Sequence, residues 1–258
     1  MPLDCLTSTT TMEIIFLGTN GWYDTKLGNA VCVLLKTEKY DIVMDAGNGV
    51  YKLDQYVDGS KPVYLFLSHF HLDHIVGLHI LTKFNLKKGM TICAGKGANK
   101  TLDSILRRPF TIPLKKLRTK TGVLELPAQA ARIPFDVKCL PLVHADPVLG
   151  YRFNIDGKIV TYCTDTGYCP NSLKLAAGAD LLISECAHRP GEENPGWPHM
   201  NPESAAALAR EAGVKKLVLV HFGADRYPAM KDRKNAQRIA RKTFRNTHAA
   251  VDDLRMVI

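Results

Sequence analysis

An α/β fold with helices covering sheets is predicted by three observations: a meander of short β-rich runs at the start, one near-continuous apolar run at 63–67, and alternating extended and helical stretches after residue 73. The opening runs at 13–17, 30–35 and 41–44 are rich in Ile, Val and Leu. Gly18, Gly21, Gly28 and the turn Asp45-Ala46-Gly47-Asn48-Gly49 break them up, as turns between strands do. Val63-Tyr64-Leu65-Phe66-Leu67 lacks a polar alternation and predicts a strand buried on both faces. From Asp73 onward, Ile75, Val76, Leu78, Ile80 and Leu81 recur at helical spacing, with Asp73 placed to cap the helix start. Strands follow at 90–94, 135–142, 181–184 and 217–220, helices at 98–106, 202–212 and 230–244, and a hairpin at 150–154 and 159–163 turned at Asp156-Gly157.

The 258 residues, 46% of them hydrophobic, suffice for one sizeable core, so a single domain over 12–258 is expected behind a polar leader at 1–11, with Met12 as a second candidate start. No apolar run approaches the roughly 18 to 20 residues of a membrane span, and the N-terminus lacks a signal-peptide layout, which makes a cytoplasmic, non-membrane location the expectation. Seven cysteines, an odd number without CxxC pairs, read as reduced thiols rather than a disulfide framework. The net charge of +9 suits anionic partners such as phosphate esters or nucleic acid. Arg107, Arg108, Lys115, Lys116, Arg118 and Lys120 form one basic segment able to grip a polyanion. A second series, Lys231, Arg233, Lys234, Arg238, Arg241, Lys242 and Arg245, lies opposite Ala236, Ile239, Ala240 and Phe244 and reads as the solvated face of a helix.

Ser68-His69-Phe70-His71-Leu72-Asp73-His74 places three histidines and an aspartate within six residues at the exit of the buried strand. Imidazole and carboxylate together suit zinc or iron, and His-x-His on extended backbone turns both rings to one side, toward one ion. Asp73 and His74 follow a turn of the chain and point to a second ion. Three more residues break apolar runs at strand ends: His144, Asp165 and His221. Sites in layered α/β folds gather where strand ends meet, so these seven are expected to converge on two metal positions.

With these motifs the chain resembles the metallo-β-lactamase superfamily, in its ribonuclease Z and phosphodiesterase branch, over nearly its whole length. Gly150-Tyr151-Arg152-Phe153 after His144, the acidic strand end Leu182-Ile183-Ser184-Glu185-Cys186 and His199-Met200-Asn201-Pro202-Glu203-Ser204 carry the rest of the likeness. The resemblance implies a four-layer αββα sandwich of two mixed sheets flanked by helices. It implies that His69, His71 and His144 hold one metal, that Asp73, His74 and His221 hold the other, and that Asp165 bridges them. By the same resemblance His199 is a general acid; Glu185, read from the residues, orients a neighbouring ring or forms a surface ion pair, and in the mechanism so implied Asp73 orients the water as well as ligating. Two departures stand out: residues 145–164 leave room for a hairpin and not for the long tRNA-gripping arm, and Thr164 stands where the family commonly has glycine.

The function so implied is that of a metal-dependent hydrolase with two Zn2+ per chain, Mn2+ or Fe2+ being alternatives, which attacks a phosphodiester with a metal-bridging hydroxide. RNA or single-stranded nucleic acid is the implied substrate and a homodimer the implied assembly. A lactonase, thioesterase or β-lactamase on the same site is one alternative, and an iron-dependent oxidoreductase on the same ligand set is another.

Overall fold

The computed structural model describes residues 12–258; the expected leader at 1–11, with Cys5, lies outside them. Along the chain run β1 (Glu13–Gly18), β2 (Asn20–Gly21), β3 (Cys32–Lys36), β4 (Asp41–Met44), β5 (Val63–Phe66), α1 (Leu72–Ile75), β6 (Met90–Gly95), α2 (Ala98–Ile105) and β7 (Thr121–Leu126). The second half holds β8 (Asp136–Pro141), β9 (Leu149–Ile155), β10 (Lys158–Cys163), α3 (Pro170–Ala176), β11 (Leu181–Cys186), α4 (Pro202–Glu211), β12 (Leu217–Gly223), α5 (Met230–Ala240), β13 (Thr247–Ala249) and β14 (Arg255–Val257).

The strands form two mixed sheets, ordered β14-β1-β3-β4-β5-β6-β7 and β13-β12-β11-β10-β9-β8, with β2 beside β12. Strand alternation explains the layering. In β1, Ile14 and Phe16 face Tyr151, Phe153, Val160 and Val218 of the second sheet, whereas Ile15 and Leu17 face outward to Leu53, Leu78 and Leu102. The far face of the second sheet, with Leu182, Leu217 and Leu219, is covered by Leu175 of α3, Ala205 and Leu208 of α4 and Ala236 of α5. The expected αββα sandwich is the observed architecture, and β5 lies between parallel β4 and β6 as its apolar run requires. Among the described residues no helix is long and apolar enough to cross a membrane.

The structure departs from expectation in places. The helix after the histidine cluster is one α turn followed by 3-10 turns at Val76–Lys83. Its backbone bonds sideways, with Ala46 N donating to His74 O (2.8 Å) and Gly77 N to Ala46 O (2.9 Å), so a regular α ladder gives way. Asp73 does not cap it; His71 occupies the cap position, and no side chain bonds there. Arg233, read from sequence as part of a solvated face, is only 1% exposed. Its guanidinium donates to Thr19 Oγ1 (2.8 Å), Ala250 O (3.2 Å) and Asn20 Oδ1 and lies over the Phe222 ring, anchoring α5 to β2. The other six cysteines form no disulfide, five of them buried and Cys139 half-buried.

Candidate metal centre

The cluster forms along the seam where the strand ends of the two sheets meet. His69 and His71 leave β5 on extended backbone, and α1 then turns Asp73 and His74 back toward them. The second sheet contributes His144 beyond β8, Asp165 beyond β10 and His221 within β12. His221 is the extra residue of a bulge: Glu185 pairs with Val220 and Cys186 with Phe222, so His221 has no partner on β11. Bulges re-aim side chains in this way. Asp45, Asp165 and His221 all have positive φ, 58°, 48° and 53°, in the left-handed region that costs a non-glycine residue about 1–2 kcal/mol. Such strain concentrates at functional sites.

The donor atoms converge. His74 Nε2 lies 3.2 Å from His221 Nε2 and 3.1 Å from Asp165 Oδ2, and Asp73 Oδ2 lies 3.3 Å from His221 Nε2. His144 Nε2 faces His71 Nδ1 at 3.4 Å. One donor from each of His69, His71, His144 and Asp165 lies within 4.8 Å of the others, and the same holds for Asp73, His74 and His221. Every residue expected from the sequence to ligate a metal falls in one of these two groups.

Outer partners fix the rings. His74 Nδ1 donates to Asp45 Oδ2 (2.8 Å), and His71 Nε2 pairs with Asp146 Oδ2 (2.7 Å). Ser68 Oγ lies 3.0 Å from His69 Nδ1 and donates to Asp45 Oδ2 (2.9 Å), so it accepts the Nδ1 proton and leaves the Nε2 lone pair of His69 free. That Nε2 is buried without a protein hydrogen bond. A buried ring nitrogen with nothing to bond, beside facing imidazoles and carboxylates, fits transition-metal ions. Gly21 sits beneath His221: a Cβ there would fall 2.5–2.8 Å from three atoms of the ring.

Electrostatics follow from this crowding. Burial, assisted by His74, pushes His69 down to about 2 and keeps it neutral. Burial also acts on His74, but Asp165, Asp45 and Asp73 outweigh it and raise its pKa well above the usual imidazole value. Asp73 and Asp165 resist burial because His74 and His221 hold both carboxyls far below their ordinary range. Thr164, the departure noted in sequence, donates to Asp165 Oδ2 (2.6 Å).

His199 Nδ1 pairs with Glu185 Oε1 at 2.7 Å, its ring centroid 5.1 Å from that of His144 and 6.0 Å from that of His221. Glu185 is wholly buried and held by the backbone N–H groups of Thr166 and Ala187. Burial pulls His199 down, but the charge and hydrogen bond of Glu185 more than offset it, lifting its pKa to about 9. Both residues thus stand at the cluster. A cleft of about 530 Å³ opens above them, walled by Trp22, Tyr23, Trp197, His188 and Arg226. The sequence alone did not point to Asp45, Ser68, Tyr162 and Asp146 around the expected ligands or to either tryptophan at the rim. For Asp45 the signal was present, since it too ends an apolar strand.

Fold and cluster together define a metal-dependent hydrolase of the metallo-β-lactamase fold. The chain belongs to the beta-lactamase superfamily, whose family model, described as a beta-lactamase superfamily domain, matches residues 40–222. It is 31% identical to the probable metallo-hydrolase YhfI of Bacillus subtilis (strain 168), over 82% of this chain and 87% of that one. It is 28% identical to ribonuclease Z of Prochlorococcus marinus (strain MIT 9313), over 94% and 96% of the two chains. Among solved structures, the fold is similar to that of YhfI, with a TM-score of 0.80 and 22% identity over 96% of this chain and 100% of that one. It is also similar to the short form of human tRNase Z, with a TM-score of 0.71 and 22% identity over 95% and 98%.

Proposed function

We propose that the chain is a ribonuclease Z-like phosphodiesterase working with two zinc ions, and that the meeting of both donor groups beside the His199–Glu185 pair carries this reading. His69, His71 and His144 would hold one ion, Asp73, His74 and His221 the other, and Asp165 both. Bound there, zinc supplies positive charge for phosphate oxygens and lowers the pKa of water from about 15.7 toward 7. The protein supplies the remainder. Asp73, fixed by the Trp22 N–H (2.8 Å), orients the attacking water as well as ligating. His199, charged below about pH 9, donates its Nε2 proton to the departing alkoxide while Glu185 steadies the imidazolium. Ribonuclease Z among the relatives supports RNA as the substrate, and +9 net charge suits it. Residues 145–164 contain the β9–β10 hairpin and no arm, so any RNA must be gripped by other surfaces.

The test is metal analysis coupled to activity on bis-p-nitrophenyl phosphate, a small RNA with a trailing 3′ end, and a β-lactam. The expected result is about two ions per chain, cleavage of both phosphodiesters, an inert β-lactam, and loss of activity on chelation. A protein that takes up no transition metal, or that opens only the lactam, refutes the proposal.

Gly21→Ala is a sharper check on His221. The added methyl must displace the ring, so metal content should fall by about one ion per chain while the fold survives. Full metal retention, measured by elemental analysis, would show that His221 is not a ligand.

A further inference from the structure

We infer that Trp22 and Trp197 form a subsite for a nucleobase, carried on a nucleotide whose phosphate lies at the histidine–aspartate cluster; this rests on the phosphodiesterase reading. Trp22 follows the glycine that makes room for His221 and adopts a left-handed backbone, φ 76°, unusual for so bulky a residue. That conformation does two things at once. It aims the Trp22 N–H at Asp73 Oδ2, and it leaves the indole 64% exposed at the mouth of the cleft. Tryptophan is ordinarily among the most buried residues by area, so an indole held in the open beside a catalytic cleft calls for something to cover it.

Trp197 forms the second wall. Its ring lies parallel to that of His71, 7° apart with centroids 6.0 Å from each other, and edge-on to His144 at 5.3 Å, so ligand rings set its orientation. The two indoles meet at 89° with centroids 6.5 Å apart, a corner with one aromatic floor and one aromatic wall. Tyr23, 46% exposed, extends it. A ligand that uses both corner and cluster needs a flat apolar ring one sugar away from an anion. A nucleoside phosphate has that form, and bases stack on aromatic faces whatever their sequence.

The experiment compares binding of 5′-AMP and ribose 5-phosphate to the metal-loaded chain by isothermal titration, since the second keeps the sugar and phosphate and carries a hydroxyl in place of the base. The wild type should prefer AMP by about tenfold or more, Trp22→Ala should remove about tenfold of that preference, and Trp22→Phe should keep most of it. Equal binding of the two ligands by the wild type, or a preference untouched in Trp22→Ala, overturns the subsite. Because binding is read without turnover, an AMP preference that depends on Trp22 in a protein inert toward phosphodiesters would sustain the subsite and sink the phosphodiesterase reading. Cleavage of phosphodiesters with no AMP preference would do the reverse.

Discussion

Replacing His199 with Ala is expected to lower kcat for an RNA substrate by about 10²–10⁴-fold, yet to lower kcat for bis-p-nitrophenyl phosphate by less than about tenfold. The difference follows from the leaving group. A ribose alkoxide is strongly basic and departs with a proton, whereas p-nitrophenolate departs without one. In the proposed mechanism His199 supplies that proton: Glu185 lifts its pKa to about 9, so it is charged at neutral pH, and its Nδ1 is committed to Glu185, leaving Nε2 free. The sign of the pH dependence is fixed too. Because the folded value stands above the ordinary value of about 6.5, the charge persists through neutrality and disappears as pH rises through about 9, so the alkaline limb of the RNA profile should fall there in the wild type. Equal losses on both substrates, or an altered metal content, would show that His199 supports the site and does not donate.

Asp45→Ala should be the most damaging change outside the proposed ligands, costing about 3–5 kcal/mol of stability and about 10–100-fold in metal affinity. Asp45 is fully buried and accepts four hydrogen bonds, from Ser68 N (2.7 Å), Ser68 Oγ (2.9 Å), Tyr162 OH (2.7 Å) and His74 Nδ1 (2.8 Å). Alanine leaves all four donors in a dry interior, where each unmet group costs about 1–3 kcal/mol before relaxation. Through Ser68 the same carboxylate also sets the tautomer of His69, so both donor groups lose a fixed ring. Urea unfolding of the metal-free variant separates the stability loss from the affinity loss. Unchanged metal-free stability would mean that water or a rearranged Ser68 replaces the carboxylate.

Of the seven expected ligands, His69, His71, Asp73 and His74 were legible because they crowd into six residues at the exit of one apolar strand, and His144, Asp165 and His221 because each breaks off an apolar run at a strand end, where a polar group rarely stands without a reason. Asp45 obeys the same rule but sits in an Asp-Ala-Gly turn, where carboxylates are commonplace. Tyr162 lies inside an apolar strand and Ser68 beside one, and nothing in composition marks them as partners of a histidine. The bulge at His221 and the left-handed backbone at Trp22 depend on contacts between segments distant in sequence, which periodicity does not report. The helix expected after the cluster gives way to 3-10 turns for a related reason. Its spacing is helical, but Gly77 is pressed against Val50 and Gly47, where a Cβ would fall 2.4–2.5 Å from their atoms, and the turn at 46–47 claims its backbone. Among the missed elements, β7 begins Thr-Gly and α3 is a seven-residue helix, each too short or too mixed for pattern alone.

Residues 69–74 hang from one sheet and His144, Asp165 and His221 from the other, so ions held by the proposed donor set would act as rivets through two plates. Neither plate carries a full complement by itself. Whatever slides one across the other, even by the width of a methyl group, separates the two halves of the donor set as it shears the core packed between them.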